Sequence, residues 1–586
     1  AAARILDVAE GNPLFVVEVI SRLDDDGALV PGDGHPPPEL ATIAVPPTIQ
    51  ALLAARLDRL NASERAVIEA ASVEGKEFGR ERVAALVDES IDAALGALVR
   101  KDLIEPFGED TFRFRHHLIR DAAYEGMSKD LRAHLHERFA DWLEVRPMTF
   151  PVVDELVGYH LERAVHLRRE LGESAASTEP LAARASASLA VAGRRAAQRD
   201  DQAAASALLE RAIALVGDDD AARGALLPAL GAALFEAGRM SEATAVLDEA
   251  IARAPEPWLG ARARVEREFV RLEVETSIGT DPARRVADEV LPVLERADDV
   301  RGQCRAWCLR AQVAWIAGHV AQADDAWGKA SECAERAGDE RELFAVRGWQ
   351  ATAAVFGPMH ADEGIRRCER LRVQVGTSPV AGAWVANALA PLHAMRGEFE
   401  TAERLVEEAN ATIHQFRSLS ASVSHMEAMV RMHAGQPALA ERALRSDVEA
   451  LRSMSEGGLL ATSTAMLAQA LYAQGRHDEA QEWCAVAASA GAPDDILTQV
   501  IWRGVKAKIL AHAGCAEAAE ALAREAVDLV HGTDLLLWRG DAMLDLAEVL
   551  RLSSGMYQEA ARGALSEYER KGNAVGSARA RALISH

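Results

Sequence analysis

No stretch of this chain approaches the roughly 18 consecutive apolar residues that a membrane-spanning helix requires, and no basic-then-apolar signal segment opens it. Aromatic residues make up only 5% of the chain, and strand-like alternation of polar and apolar residues is scarce, so extensive β-structure is not expected. The six cysteines, Cys304, Cys308, Cys333, Cys368, Cys484 and Cys515, contain no C-x-x-C pair. Such spacing predicts reduced, packed thiols in a cytosolic protein rather than a disulfide framework. Basic residues are in deficit, 65 Lys and Arg against 90 Asp and Glu, for a net charge of −25. That balance disfavours direct nucleic-acid binding and adhesion to anionic lipid, so neither partner is expected. Catalytic signatures are missing as well. The chain has no G-x-x-x-x-G-K-S/T phosphate loop, no G-x-S-x-G elbow and no Rossmann glycine fingerprint. No catalytic residue is therefore assigned.

What the chain does have is alanine and a repeat. Gly475-Arg476-His477-Asp478-Glu479-Ala480 exemplifies a unit of glycine, four mostly polar residues and alanine. It recurs from Gly238, Gly318, Gly397, Gly435, Gly475, Gly514 and Gly555, at intervals of 80, 79, 38, 40, 39 and 41 residues. Degenerate copies at Gly279 and Gly357 fall near the middle of the two long intervals, and Gln198–Ala203 is a further copy without the glycine. A period near 40 sustained this way predicts an α-solenoid of tetratricopeptide-like helix pairs over 181–586, in a predominantly all-α chain. The glycine is placed to end one helix in the left-handed conformation. The alanine lets the next helix sit close. Leu247, Trp327, Val406 and Leu444 lie four residues after it, and Ala250, Ala330, Ala409, Ala487 and Ala526 lie seven after it, on the same helix face. Tryptophans in the array, including Trp315, Trp327, Trp349 and Trp538, are spaced like core and groove residues.

The first 180 residues read differently. Residues 1–30 form two helices meeting at Gly11-Asn12-Pro13, and 31–44, with its run of prolines, is a loop. Residues 45–145 hold several short helices and one hairpin, Leu103–Pro106 with Thr111–Arg115, which puts Phe112 and Phe114 on one face. Asn61 with Glu64 marks a capping box. Helices and one hairpin together predict a winged helix. Residues 146–180 connect it to the array, with Gly172–Pro180 as a short linker. His134, His136 and Glu137 do not make a metalloprotease motif, since the second histidine would have to stand at Ala140. Cys304 and Cys308, four apart, suit core packing better than a metal, and no metal ligand is assigned.

Several stretches together resemble one family over nearly the whole chain. They are EGNPLFVVEVI (Glu10–Ile20), VPPTIQALLAARLDRL (Val45–Leu60), AVIEAASVEGKEF (Ala66–Phe78), FRFRHHLIRDAAYEGM (Phe112–Met127) and YERKGNAVGSARARAL (Tyr568–Leu583). The chain resembles the C-terminal two-thirds of an actinobacterial-type STAND ATPase, a signalling relative of the AAA+ proteins. In such proteins a P-loop core precedes a helical lid, a winged helix and tetratricopeptide-like repeats. Many carry a class III nucleotide cyclase ahead of the ATPase, and others end in a LuxR-type helix-turn-helix. The resemblance implies that 1–30 is the end of the lid. It also implies that Asn12 and Pro13 belong to the motif packing on the adenine nucleotide, and that His116 reads the nucleotide β-phosphate beside Arg115. His117 stays open as the alternative histidine. It implies an upstream ATPase domain and a protein or small-molecule inducer as partners. ATP or ADP with magnesium would be a cofactor only where that P-loop domain is present.

The chain opens on Ala1 in mid-helix, so a preceding segment is expected. Only 15 residues follow Lys571, too few for a helix-turn-helix, which favours a cyclase over DNA binding as the full-length output. Three readings follow: the regulatory arm of a STAND ATPase, a LuxR-type regulator without its DNA-binding domain, and a free-standing repeat scaffold.

Overall fold

The computed structural model describes residues 49–87, 90–145, 153–217, 221–376, 378–413, 420–454, 458–553 and 556–585. The Gly11-Asn12-Pro13 turn and the 31–44 loop lie outside them. Two compact units divide the chain: Ala1–Gly193 with Leu208–Asp218, and Arg194–Ala207 with Asp219–His586.

The first unit contains α1 (Ile49–Leu57), α2 (Ala62–Glu74), α3 (Arg80–Leu86) and α4 (Asp92–Arg100), followed by α5 (His117–Gly126), α6 (Lys129–Val145) and α7 (Val153–Glu170). Asn61 caps α2 as its sequence requires. Its side chain accepts from the Glu64 N–H at 2.9 Å, while Glu64 accepts from the Asn61 N–H at 3.1 Å. Three strands, β1 (Glu77–Gly79), β2 (Ile104–Pro106) and β3 (Thr111–Phe114), form an antiparallel sheet in the order β1-β3-β2. The hairpin is where the sequence placed it, and β1 is an addition. Phe78 pairs with Phe112 across the ladder, and its ring lies 5.9 Å from that of Phe112 and 5.3 Å from that of Phe114. These three rings, all buried, seal the sheet onto the helices.

Helix α8 (Ala175–Gln198) takes up most of the stretch read as a linker. Ser174 begins it, its hydroxyl accepting from the Ser177 N–H at 3.2 Å. Helices α8 and α9 (Gln202–Leu215) each contribute residues to both units.

The second unit is the helix-pair array, and its pairs follow one another along the chain. They begin with α10 (Ala221–Glu236) and α11 (Met240–Arg253), α12 (Pro257–Val274) and α13 (Asp281–Arg296), and α14 (Val300–Ile316) and α15 (Val320–Ala337). Next come α16 (Glu340–Phe356) and α17 (Ala361–Gln374), α18 (Pro379–Met395) and α19 (Phe399–Ile413), and α20 (Ser420–His433) and α21 (Pro437–Met454). The last are α22 (Gly458–Tyr472) and α23 (His477–Ala490), α24 (Ile496–His512) and α25 (Ala516–His531), α26 (Leu536–Ser553) and α27 (Gln558–Lys571), and a final α28 (Ala574–Ser585). Among the described residues no helix is long and apolar enough to cross a membrane.

The repeat unit works as its residues dictate. Gly238, Gly279, Gly318, Gly397, Gly435, Gly475 and Gly514 all turn at φ between 71° and 82°, and in the copy without glycine Asp200 takes φ 62°. Ala243, Ala323, Ala402, Ala440, Ala480 and Ala519 are fully buried, as are Ala250, Ala330, Ala409 and Ala487. Gly357 departs from the pattern, with φ −78°. It is glycine for closeness instead: a Cβ there would stand 2.9 Å from Val320 Cγ1.

The array also winds back on itself. Thr276 Oγ1 donates to the Ala490 carbonyl at 2.9 Å, and Asp494 accepts from the Thr280 N–H at 2.7 Å. One repeat further along, the Asp534 carboxylate accepts from the N–H groups of Val320 and Ala321, both at 2.8 Å. A third contact joins Lys571 Nζ to the Gly357 carbonyl at 2.7 Å. Each level is separated by 214 residues, so one superhelical turn takes about that length of chain.

Candidate functional site

The inner wall of this winding encloses a cavity of about 420 Å³, within the size range of small-molecule sites. It is walled by the first helices of consecutive pairs, α20, α22, α24 and α26, together with α28. Met429, Met432, Met466, Ile501, Leu544 and Trp538 form its apolar surface. Trp538 is fixed from behind by Phe356, stacked at 4.6 Å.

Helix α26 brings Asp541, Asp545 and Glu548 to this wall, four and three residues apart and so on one face. Each carboxylate has a different partner. Lys508 Nζ donates to Asp545 at 2.6 Å, and this pair is largely buried. Burial pushes the Asp545 carboxyl up, and Lys508 pulls it back. Tyr472 donates its hydroxyl to Glu548 at 2.6 Å, and Tyr568 donates to Asp541 at 2.5 Å. Burial and these carboxylates raise both phenols well above their ordinary value, which keeps them protonated donors. Burial pushes the His433 imidazole down. Its Nδ1 donates to the Met429 carbonyl at 2.8 Å, so the neutral ring is left to accept at Nε2 from Asn573, 3.3 Å away. The Arg579 side chain opens into the cavity. Arg579 is an exposed residue on this wall; packing around it works against its charge, and Tyr568, Asp541, Asp545 and Glu548 together raise its pKa.

Of the tryptophans singled out in the sequence, Trp538 reaches this cavity. Trp315 lines a separate space of about 90 Å³ with Gln312, Thr462 and Asp495. Trp327 is core, stacked on Trp349 at 5.4 Å. Sequence reasoning missed Tyr472, Lys508, Glu548 and Arg579. One signal was available: Lys508 stands six residues before Gly514, where Met429 precedes Gly435 and Gln469 precedes Gly475. A cation at that inward position marks a polar site in the wall.

Cys304, Cys308 and Glu342 offer donor atoms within 4.8 Å of one another. Arg305 engages Glu342 at 3.3 Å, and Cys304 donates to the Ala330 carbonyl at 3.2 Å. The hydrogen bond with Cys304, together with burial, pushes the Cys308 thiol well up. Two thiols packed beside an already paired carboxylate make a hydrogen-bonded packing cluster.

In the first unit, His116 is the N-cap of α5. Its Nδ1 accepts from the Leu118 N–H at 3.2 Å, which puts the proton of the neutral ring on Nε2. The His117 ring lies 4.2 Å away. Arg115 pairs with Asp102 at 2.7 Å and Glu105 at 3.1 Å, and Asp102 raises its pKa. The structure thus brings His116, His117 and Arg115 to one helix start, with the guanidinium already engaged by acids. Asn12 and Pro13 lie outside the described residues. Deeper in the same unit runs a chain that the sequence did not reveal. Tyr124 lies 2.8 Å from His136 Nε2, and His136 Nδ1 lies 2.7 Å from His160 Nδ1. Both imidazoles are buried. Glu137 is spent on Arg168 at 2.5 Å.

No family model matches the chain, and no curated protein matches it. Solved structures do. A signal transduction ATPase with numerous domains (STAND) protein with a tetratricopeptide repeat sensor, from Pyrococcus horikoshii, aligns at 14% identity with a TM-score of 0.49, over 83% of this chain and 68% of that one. The APC/C hetero-tetramer Cut9–Hcn1 aligns at 12% identity with a TM-score of 0.42, over 79% of this chain and 97% of that one.

Proposed function

We propose that this chain is the regulatory arm of a STAND signalling ATPase, in which the helix-pair array takes up an effector and residues 45–145 form a winged helix that reads the nucleotide of an upstream ATPase domain. The observation that carries the proposal is the 420 Å³ cavity, built by consecutive repeats and lined by apolar side chains with a few placed charges. A bare scaffold has no need to keep a buried Lys508–Asp545 pair in such a wall. An effector that fits this winding of the array better than others shifts the protein toward it by that difference in affinity. His116, with its neutral-ring proton on Nε2, is the group that would donate to a phosphate at the start of α5. A class III nucleotide cyclase as output belongs to the same proposal.

The test uses the protein extended upstream into its ATPase domain. ADP is expected to protect that protein from thermal unfolding, and His116→Ala to reduce the protection. Undiminished protection would remove the nucleotide-reading half of the proposal. Met466→Trp, which fills the cavity, is expected to change the rate of ADP release, and an unaltered rate would remove the sensing half.

A further inference from the structure

We infer that the helix-pair array is gated at its seam: the first of the three contacts between turns, Thr276 and Thr280 against Ala490 and Asp494, opens while the second and third stay closed. The gate belongs to the array itself and holds whichever effector the cavity takes.

The three contacts are unequally made. At the second, each oxygen of the Asp534 carboxylate takes its own backbone N–H, from Val320 and Ala321, at 2.8 Å. The Asp534 N–H in turn donates to the Gly318 carbonyl at 3.2 Å. At the third, a fully buried Lys571 donates to three carbonyls. Phe356 and Trp538 stack across the seam between these two levels at 4.6 Å. The first contact is incomplete. One oxygen of Asp494, Oδ2, takes both the N–H and the hydroxyl of Thr280, at 2.7 and 2.6 Å. Among the described residues Oδ1 is buried with no hydrogen-bond partner, and so is Nη2 of Arg271. Both groups flank Gly279: Arg271 Nη1 donates to its carbonyl at 3.0 Å, and a Cβ on it would stand 3.1 Å from either Asp494 oxygen. Opening this contact lets water reach a buried acceptor and a buried donor that the closed form leaves unpaired.

The chain that carries the first contact is held loosely as well. Thr276–Ile278 is a single 3₁₀ turn between α12 and α13, ended by Gly279 at φ 75°. Such turns have poorer hydrogen-bond geometry than an α-helix. Val274 and Ile278 beside it are 48% and 52% exposed, so they anchor it weakly. The space of about 90 Å³ lined by Trp315 lies just behind, with Thr276, Ala492 and Asp495 from the first level and Val320 and Leu535 from the second. A turn backed by a void gives up little packing when it swings away. Its opening uncovers Leu272, Leu497 and Leu535, and a partner that prefers either winding shifts the gate by that preference.

The experiment is hydrogen exchange of the full chain, read by mass spectrometry over 276–281, 318–322 and 354–360. Thr280 and Val320 both stand at the start of a pair's second helix, so their amides compare directly once intrinsic rates are divided out. Thr280 is expected to exchange about tenfold faster or more, the scale of a buried polar group left unpaired. Asp494→Ala should speed exchange at 276–281 alone. Thr280→Cys combined with Asp494→Cys places two thiols where these side chains meet. Oxidised to a disulfide, this variant should slow 276–281 to the rate of 318–322, and reduction should restore the faster rate. Equal protection of the first two levels in the wild type would overturn the inference, and that comparison needs no variant to fold. Asp494→Ala speeding all three levels together would overturn it too, since the seam would then open as one unit.

Discussion

The ammonium of Lys571 lies 2.7 Å from the carbonyl oxygen of Gly357, and it donates equally to Ala354 and Met359, both at 2.9 Å. The side chain is completely buried. A cation set on the last carbonyls of α16 answers the negative end of that helix. Asp494 and Asp534 do the reverse, with carboxylates on the N-terminal N–H groups of α13 and α15. Successive superhelical turns are thus joined by charges placed on helix ends, which are directional and tolerate no slip along the array.

Lys571→Met should therefore leave three buried carbonyls unpaired and destabilise the array by about 2–4 kcal/mol. Hydrogen exchange should show the loss concentrated at 354–359. An exchange pattern equal to the wild type would show that closure does not depend on this contact.

Asp534→Asn keeps the size and loses the charge. The N–H groups of Val320 and Ala321 retain at best a neutral acceptor, and the cost should be about 1 kcal/mol, the scale of a helix N-cap with its dipole term. Thermal unfolding at low and high salt would check it. Because Asp534 bonds directly to these N–H groups, the loss should persist at high salt.

Ala440→Leu and Ala480→Leu insert side chains where adjacent helices touch, at positions with no exposure at all. Each should overpack its pair and cost about 1–3 kcal/mol. The same substitution at Ala560, which is only partly buried, should cost clearly less. Denaturant unfolding of the three variants orders them.

Lys508→Met strands Asp545 in the cavity wall without its cation, and should cost about 3–5 kcal/mol. Adding Asp545→Leu to Lys508→Met should recover most of that loss. No recovery would mean that Lys508 acts by filling space.

The buried histidine pair gives the first unit a pH dependence. Burial lowers His136 to about 2 and His160 to about 4, from an ordinary 6.5. Both pKa values are depressed bases, so between 6.5 and the folded value the unfolded chain binds protons that the folded one does not. Stability is full above 6.5 and falls as the pH drops toward 4, with His160 alone costing about 3 kcal/mol by that point. Hydrogen exchange in α6 and α7 at pH 7 and pH 4.5 should register it, and His160→Gln should flatten the dependence.

Much of the fold was legible in the sequence. Gly238, Gly318, Gly397, Gly435, Gly475 and Gly514 must turn left-handed, and the alanines five residues on must lie where helices meet. These are local demands, met within one repeat, so period and side-chain type expose them. The hairpin carrying Phe112 and Phe114 was legible for the same reason, since alternation is a local signal. The strand Glu77–Gly79 was not, because three residues carry no periodicity and only pairing with β3 defines them. The stretch read as a linker became α8 because Ser174 starts a helix there.

The candidate site divides in the same way. The capping role of His116 follows from its place before a helix, but the engagement of Arg115 by Asp102 and Glu105 depends on where the hairpin folds. The cavity was beyond reach. Its wall gathers Met429, Lys508, Glu548 and Arg579 from across some 150 residues, and no single repeat contains it. The sequence alone determined the helix pair and its period, because glycine geometry and alanine packing act between neighbours. Only the tertiary structure decided how tightly the pairs wind. That depends on small rotations summed over several repeats and on the few charges, Asp494, Asp534 and Lys571, that lock one turn onto the next.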